Sequence, residues 1–486
     1  AELEGVVLWL DENTNATKNP TGSLYQYWRG RTDLVTPKLS GIDFSGVTNL
    51  SNCWNAGASL TSFPFIDTSS VTTLFWSWRS CNALQAFPLI DTSSVTNFMG
   101  AWQYNYQLTE FPTIDTSSGD NFSYTWYNCT GLTSFPALTF STDASVDINF
   151  SYTWKGCTQL ESFPALNLSR GTNFTEAWYG CTDALFTTFP AVTFSTDASD
   201  DIDFEKAWYG CTGLTSFPAL NLSRGTDFYD AWKNCTSIAS FGACTFSTHA
   251  DDDIRFNSTW YSCTSLTSFP ALNLSRGTDF YYAWGYNTSM TSFGAVTFST
   301  TASDSINFTS AWKSCTQLTS FPALNLSRGT NFTETWRNCT GLTSFPSGID
   351  LSNGTDFSLA WHTCSALTSF PAIALTAGTN FTQAWINCSS MISFNATGLE
   401  SGTRFDWAWY GCTALTTFPA GVFDDWAPTS VTSACFHYAW EACNVLTEQS
   451  IENILLSISA SGQWATSTGT SSGTPLAGKE ITIGTS

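Results

Sequence analysis

Charge is scarce in this sequence. Only 12% of its 486 residues are Asp, Glu, Lys or Arg, against about 25% in an ordinary soluble domain. The charges are also lopsided, 17 basic against 39 acidic, for a net charge of −22. The basic footprint that nucleic acid demands is missing, so no nucleic-acid partner is expected. Long apolar runs are missing too, which removes a membrane-spanning helix of about 18 residues or more. Histidine is nearly absent: His249, His362 and His437 are the only three, and none stands in a metal-ligand spacing or beside a nucleophile motif. No Cys-x-x-Cys, phosphate loop or dinucleotide fingerprint occurs, so zinc, thioredoxin and nucleotide chemistry lack a basis. No enzyme and no cofactor are expected. A carboxylate pair for sugar hydrolysis stays open, because aspartate is common and nothing singles one pair out.

What the chain has instead is aromatic residues, 16% of the total with 22 Trp and 38 Phe, set in a repeat. The frame is Phe, three residues, Trp, two residues, Cys, two residues, Leu, two residues, Phe-Pro; Phe332, Trp336, Cys339, Leu342, Phe345 and Pro346 form one clean copy. Anchor tryptophans recur about seventeen times, among them Trp154, Trp178, Trp208, Trp232, Trp260, Trp312 and Trp336. Most steps are 24 residues and several are 28 to 31.

Phe174, Ala177, Trp178 and Cys181 fall at i, i+3, i+4 and i+7, one face of a short helix. Thr172 or Asn173 can cap its start, as Thr226 or Asp227 can in a later copy. The following Thr-Gly-Leu-Thr-Ser-Phe-Pro, residues 212–218 in one copy, reads as a turn and a short strand with Leu214 and Phe217 inward. Pro218 ends that strand by removing a donor. One such unit cannot bury its apolar face alone, whereas stacked units bury a continuous one. The expected fold is an α/β solenoid, a right-handed coil like that of leucine-rich repeats. It has one short strand and one short helix per repeat of 24–30 residues, and about seventeen repeats. The Trp column is read as core packing, and the competing reading is a row of sugar-stacking aromatics.

Ile90-Asp91-Thr92-Ser93-Ser94-Val95-Thr96-Asn97-Phe98 leads into Ala101-Trp102, and Ile66-Asp67-Thr68-Ser69-Ser70-Val71-Thr72 repeats it. With the Cys-x-x-Leu-x-x-Phe element, this resembles the BspA-like leucine-rich repeats, a bacterial surface-protein repeat of about 26 residues. That family has Met-Phe where this chain has Ala-Trp, and leucines where it has Phe-Pro. The resemblance covers residues 20 to 450. It implies an extracellular surface protein used in attachment, and it brings no catalytic residue. Ser450-Ile451-Glu452-Asn453-Ile454-Leu455 resembles the end segment of some phage tail and fibre proteins.

Between Trp126 and Trp336 the repeats alternate. Short ones carry Leu-Ser-Arg-Gly-Thr with Arg170, Arg224, Arg276 and Arg328. Long ones carry Asp147, Asp200, Asp201, Asp252, Asp253 and Asp304 seven or eight positions before their Trp. Stacking should set acid beside base in a ladder that fixes register. Exposed pairs of this kind contribute only about 0–1 kcal/mol each. The rival reading is Ca²⁺ on Asp200, Asp201, Asp252 and Asp253, although the spaced Asp-x-Asp-x-Asp of a calcium loop is missing.

Of the 16 cysteines, 13 stand three residues after an anchor Trp, including Cys129, Cys157, Cys181, Cys211, Cys235, Cys263, Cys315 and Cys339. Asn105 and Asn287 replace cysteine in two repeats. The column is read as buried free thiols, with disulfides between neighbouring turns as the alternative. Asn121, Asn173, Asn257, Asn307, Asn331 and Asn380 begin Asn-x-Ser/Thr triplets. They are glycan acceptors in a secreted glycoprotein or plain repeat elements otherwise.

Residues 1–20 are expected to form an N-terminal strand or cap around Val6-Val7-Leu8-Trp9-Leu10. Residues 21–447 form the solenoid. Residues 448–486 form a helix at about 448–459, a linker at 462–478 and a last strand at Glu480-Ile481-Thr482-Ile483. A strand beyond a linker suits head-to-tail self-association. The functional expectation is an extracellular structural or adhesive protein, a subunit of a surface fibre, filament or phage tail appendage. Its localisation would be extracellular or on a virion surface. The alternatives are a monomeric adhesin that recognises a cell-surface glycan or protein, and a fibre-borne glycan hydrolase.

Overall fold

The computed structural model describes residues 20–37, 39, 42–197, 199, 201–249, 253–301, 303, 305–427 and 435–461. The strands expected at Val6–Leu10 and Glu480–Ile483, the linker between, and Asp200, Asp252 and Asp304 lie outside the described residues. The chain divides into two compact units. The first is Ala1–Ile238 with Cys244–Phe246, and the second is Ala239–Ala243 with Ser247–Ser486.

Each unit is a parallel β-solenoid. In the first, Ile148–Asn149, Gly171–Asn173, Ile202–Asp203 and Gly225–Asp227 pair in sequence order, all parallel. In the second, Ile254–Arg255, Gly277–Asp279, Ile306–Asn307 and Gly329–Asn331 do the same. A further line of pairing runs through the Ser-Phe element. It joins Ser134 to Ser162 and Thr188 to Ser216 in the first unit, and Ser268–Phe269 to Ser292–Phe293 in the second. The short strand expected at the Ser-Phe element is therefore present, with Leu214 and Phe217 both buried.

The expected helix in each repeat is not. Among the described residues the α-helix is confined to Glu448–Ala460, close to the bounds read from sequence. The Phe-Trp-Cys segment is instead a chain of tight turns, and its hydrogen bonds show why. In one repeat the amides of Phe174, Glu176, Trp178 and Gly180 donate to Asp203, Glu205, Ala207 and Tyr209 of the next turn, each at 2.8 Å. The amides between them point back three residues: Ala177 to Phe174, Tyr179 to Glu176 and Cys181 to Trp178. A helix would satisfy every amide internally and leave the neighbouring turn's carbonyls bare. Alternating the two patterns needs left-handed residues, which Glu176 (φ 53°) and Gly180 (φ 70°) supply. The i, i+3, i+4, i+7 spacing still names the core, because Phe174, Ala177, Trp178 and Cys181 are all fully buried. Asn173 and Asp227 do not cap helices. Their Oδ1 atoms accept from the amides of Thr175 and Tyr229 two residues on, an Asx turn.

The indoles stack in file. Trp154–Trp178, Trp178–Trp208 and Trp208–Trp232 have ring centroids 5.2, 5.5 and 5.0 Å apart with planes within 11°. Trp312 and Trp336 do so at 5.8 Å in the second unit. Each Phe of the Phe-Pro element stands edge-on across two indoles, as Phe163 does to Trp154 at 80° and to Trp178 at 89°. Offset-parallel and perpendicular pairs are the arrangements the ring quadrupole favours. The glycine of Arg-Gly-Thr follows from this packing, since a Cβ on Gly171 or Gly225 would collide with the ring of Phe174 or Phe228.

The helix Glu448–Ala460 lies against the last turns of the second unit. Thr447 caps it, accepting from the Ser450 amide. Ile454 and Ile458 are buried. Ser450 and Ser457 accept from the Phe418 and Phe423 amides at 3.0 and 2.6 Å, and Asn453 donates to the Phe418 carbonyl at 2.9 Å. The helix thus supplies polar side chains where another turn would have supplied backbone partners.

Candidate interaction surface

The residues singled out in the sequence fall at three depths. The deepest are the anchor indoles, of which Trp154, Trp178, Trp208, Trp232, Trp260, Trp312 and Trp336 are fully buried. No sugar can reach them. The indole N–H groups of Trp154, Trp178, Trp208, Trp312 and Trp336 have no hydrogen-bond partner.

The cysteine column lies beside them. All 16 cysteines are buried free thiols. Along the column, Sγ donates to the carbonyl of the Trp one turn back. Cys129, Cys157, Cys181, Cys211 and Cys235 reach Trp102, Trp126, Trp154, Trp178 and Trp208 at 3.0–3.4 Å. Cys315 and Cys339 reach Trp284 and Trp312 at 3.2 and 3.1 Å. Cys263 is buried in the same way. Asn105 fits the column because its Oδ1 accepts from the Cys81 amide at 2.9 Å. Burial pushes the thiols of Cys129, Cys181, Cys235 and Cys339 up to about 12, which leaves them inert as nucleophiles at neutral pH.

Within each unit, arginines and aspartates pair between neighbouring turns. Arg170 lies 3.0 Å from Asp147, Arg224 3.3 Å from Asp201 and Arg276 3.8 Å from Asp253. Arg170 is only 8% exposed, and it also donates to the Val146 and Ala144 carbonyls, both at 3.0 Å. The guanidinium therefore holds the acidic loop of the preceding long turn by its backbone as well as its carboxylate. The sequon asparagines are tied into turns: Oδ1 of Asn121, Asn173, Asn307, Asn331 and Asn380 accepts the amide two residues on. Asn257 donates to Asp279 at 3.4 Å.

A fourth set of residues escaped the sequence reading. Of the 16 tyrosines, all but Tyr27 stand two or three positions before an anchor Trp, or one, two or four after it. The described lysines, Lys155, Lys206, Lys233 and Lys313, stand one after or two before. These positions flank the buried indole, so their side chains emerge together on one face of the turns. In the first unit they form a connected row. Tyr104 meets Tyr127 edge-on at 5.3 Å, Tyr124 stacks on Tyr152 at 4.5 Å, and Tyr179 stacks on Tyr209 at 4.6 Å with planes 1° apart. The Lys155 ammonium joins the pairs, 5.4 Å from the Tyr152 ring and 4.3 Å from that of Tyr179. It also forms an ion pair with Glu176. Lys206 pairs with Glu205 at 2.6 Å and lies 4.9 Å from the Tyr229 ring. Asn234 donates to the Tyr209 hydroxyl at 2.9 Å. Partial burial and neighbouring phenols push Tyr127 and Tyr179 upward from the usual phenol value.

The second unit carries a sparser version. Tyr261 meets Tyr282 and Tyr286 at 5.6 and 5.2 Å, and Lys313 donates to the Tyr282 hydroxyl at 3.2 Å. Glu334 bridges Lys313 and Arg337. Burial, with Arg337 nearby, holds the His362 imidazole down at about 4, so it is neutral at physiological pH. The Thr-Ser element of this unit carries no charged residue at Thr291-Ser292, Thr319-Ser320, Thr343-Ser344 or Thr368-Ser369. There Thr291, Thr319, Thr343 and Thr368 each donate to the threonine carbonyl one turn back.

No protein-family profile and no curated protein matches the sequence. Solved structures similar to it include leucine-rich repeat proteins. One, from Bacteroides ovatus, is 12% identical over 82% of this chain and 81% of its own, with a TM-score of 0.35. A leucine-rich cell surface protein from Faecalibacterium prausnitzii is 18% identical over 70% of this chain and 79% of its own, with a TM-score of 0.32. An internalin from Listeria monocytogenes is 13% identical over 80% of this chain and 93% of its own, with a TM-score of 0.22.

Proposed function

We propose that this chain is a non-catalytic extracellular repeat protein that works as a displayed surface. It would serve as an element of a surface fibre or appendage and make adhesive contact along its turns. The observation that carries this reading is the sorting of side chains by face. Tyrosines and lysines flank the indoles, hydroxyls line the Thr-Ser element, and within each unit arginine–aspartate pairs link neighbouring turns. Each chemistry is spread along the turns rather than gathered at one point. An active site needs convergent groups around one reacting atom, whereas an adhesive face gains from repeating the same contact. Among the described residues no helix is long and apolar enough to cross a membrane, and the net charge of −22 favours a solvated, self-repelling surface. Copies joined head to tail would lengthen the same face.

Immunogold electron microscopy of the intact source, cell or particle, tests this. Gold on an outer appendage is the expected result. Gold confined to the interior would overturn it.

A further inference from the structure

We propose that the tyrosine row of the first unit, Tyr104, Tyr124, Tyr127, Tyr152, Tyr179 and Tyr209, is a binding site for a linear neutral polysaccharide lying along the stack. The proposal rests on the reading of the chain as a surface-binding protein and names the chemistry of its partner.

The choice of residue on a fixed backbone is the first ground. Tyr104, Tyr124 and Tyr152 are left-handed, with φ of 65°, 59° and 59°. Other turns place glycine at the equivalent positions, as at Gly100 and Gly180. A bulky residue there is disfavoured relative to glycine. The rings are only half-buried and contribute little to the core. The turn itself imposes this conformation, since Glu176, Lys206 and Asp230 fill the same place in other repeats; what these turns add is a large, half-exposed ring where a small or charged side chain serves elsewhere.

The geometry of the row selects the partner. Tyr124 and Tyr152, and likewise Tyr179 and Tyr209, lie face to face between turns, so the edges and hydroxyls of those rings are what solvent meets. Ring edges carry the positive end of the quadrupole, and phenols and lysine ammoniums donate hydrogen bonds. The row therefore offers donors to oxygen-rich groups. Its charges are already matched, Lys155 with Glu176 and Lys206 with Glu205, so nothing in it asks for an ionic ligand. The contact also recurs at every turn. Each turn from Trp102 to Trp208 contributes at least one tyrosine, two before or one or two after its indole, so an extended polymer laid along the turns meets a phenol at each. A globular protein partner that is not built of repeats lacks such a translational repeat, whereas a polysaccharide has one by construction.

Affinity electrophoresis of the full chain tests the site, through gels containing hydroxyethyl cellulose, mixed-linkage β-glucan, mannan or dextran, with alginate as the acidic comparison. The wild type should be retarded by at least one neutral polymer more than by alginate. A Tyr124→Gly, Tyr152→Gly double variant suits the left-handed backbone and should keep the fold, as circular dichroism would verify. It should weaken retardation at least tenfold, and Tyr179→Ser with Tyr209→Ser should do the same. Retardation by none of the neutral polymers, or retardation that survives both variants, would overturn the assignment. So would capture by alginate alone, or binding of these tyrosines to a protein partner in place of any glycan. Reducing ends released from a retained polymer would refute the non-catalytic reading and leave the binding site standing.

Discussion

Individual side chains here act as members of columns, so a single substitution is felt on two sides. Removing the indole of Trp178 deprives Trp154 and Trp208 of a stacking face and takes an edge contact from both Phe163 and Phe189. Trp178→Ala should cost about 3–5 kcal/mol, read as a lower urea midpoint for the first unit. The thiols make a second prediction. Seven of them, Cys81, Cys129, Cys181, Cys235, Cys244, Cys339 and Cys388, are raised by burial from 9.0 to about 12. An unfolded chain releases those protons from about pH 9, while the folded chain holds them. Stability is therefore full below that value and falls as pH rises toward 12, by up to about 1.4 kcal/mol per pH unit for each thiol. Urea midpoints between pH 8 and pH 11 check this, and a flat profile would contradict it. The native chain should likewise leave a thiol reagent unreacted at pH 8 until denaturant is added.

Within a turn, backbone demands decide which residues are replaceable. Gly225→Ala places a methyl group against the Phe228 ring and should destabilise by about 1–3 kcal/mol, visible in thermal melts. The closing helix depends on its cap: Thr447→Ala should cost about 1 kcal/mol. Because that helix satisfies the Phe418 and Phe423 amides, hydrogen exchange at those two positions should accelerate in the same variant. These elements also show what could be read in advance. The spacing of Phe174, Trp178 and Cys181 named the core correctly. It misnamed the conformation, because apolar periodicity records which side chains point inward and says nothing of where amide hydrogens go. The missed cue lay in residues at fixed positions around the indole: Gly156, Gly180, Asn128 and Asn234 follow it by two, and all are left-handed, as glycine and asparagine readily are. The tyrosine face stayed hidden for a related reason. Its members are scattered over several sparse columns, and each column becomes a face only when turns are laid on one another. The closing helix was legible because its apolar residues and cap stand in one continuous segment.

Over the molecule as a whole, acidic charge governs the response to solvent. With a net charge of −22, raising salt from millimolar to about 1 M, where screening acts within about 3 Å, should raise the urea midpoint. A midpoint that falls instead would mean that the ion pairs outweigh the net repulsion. The arginine–aspartate pairs carry a longer-term consequence. Arg170, Arg224 and Arg276 each reach an aspartate on the long turn before their own. Gaining or losing gene sequence two turns at a time keeps every guanidinium beside a carboxylate. Dropping one long turn would set arginine upon arginine with no acid between. Descendants of this chain should therefore differ in length by even numbers of turns across that region, and comparing gene copies from neighbouring populations would reveal the parity.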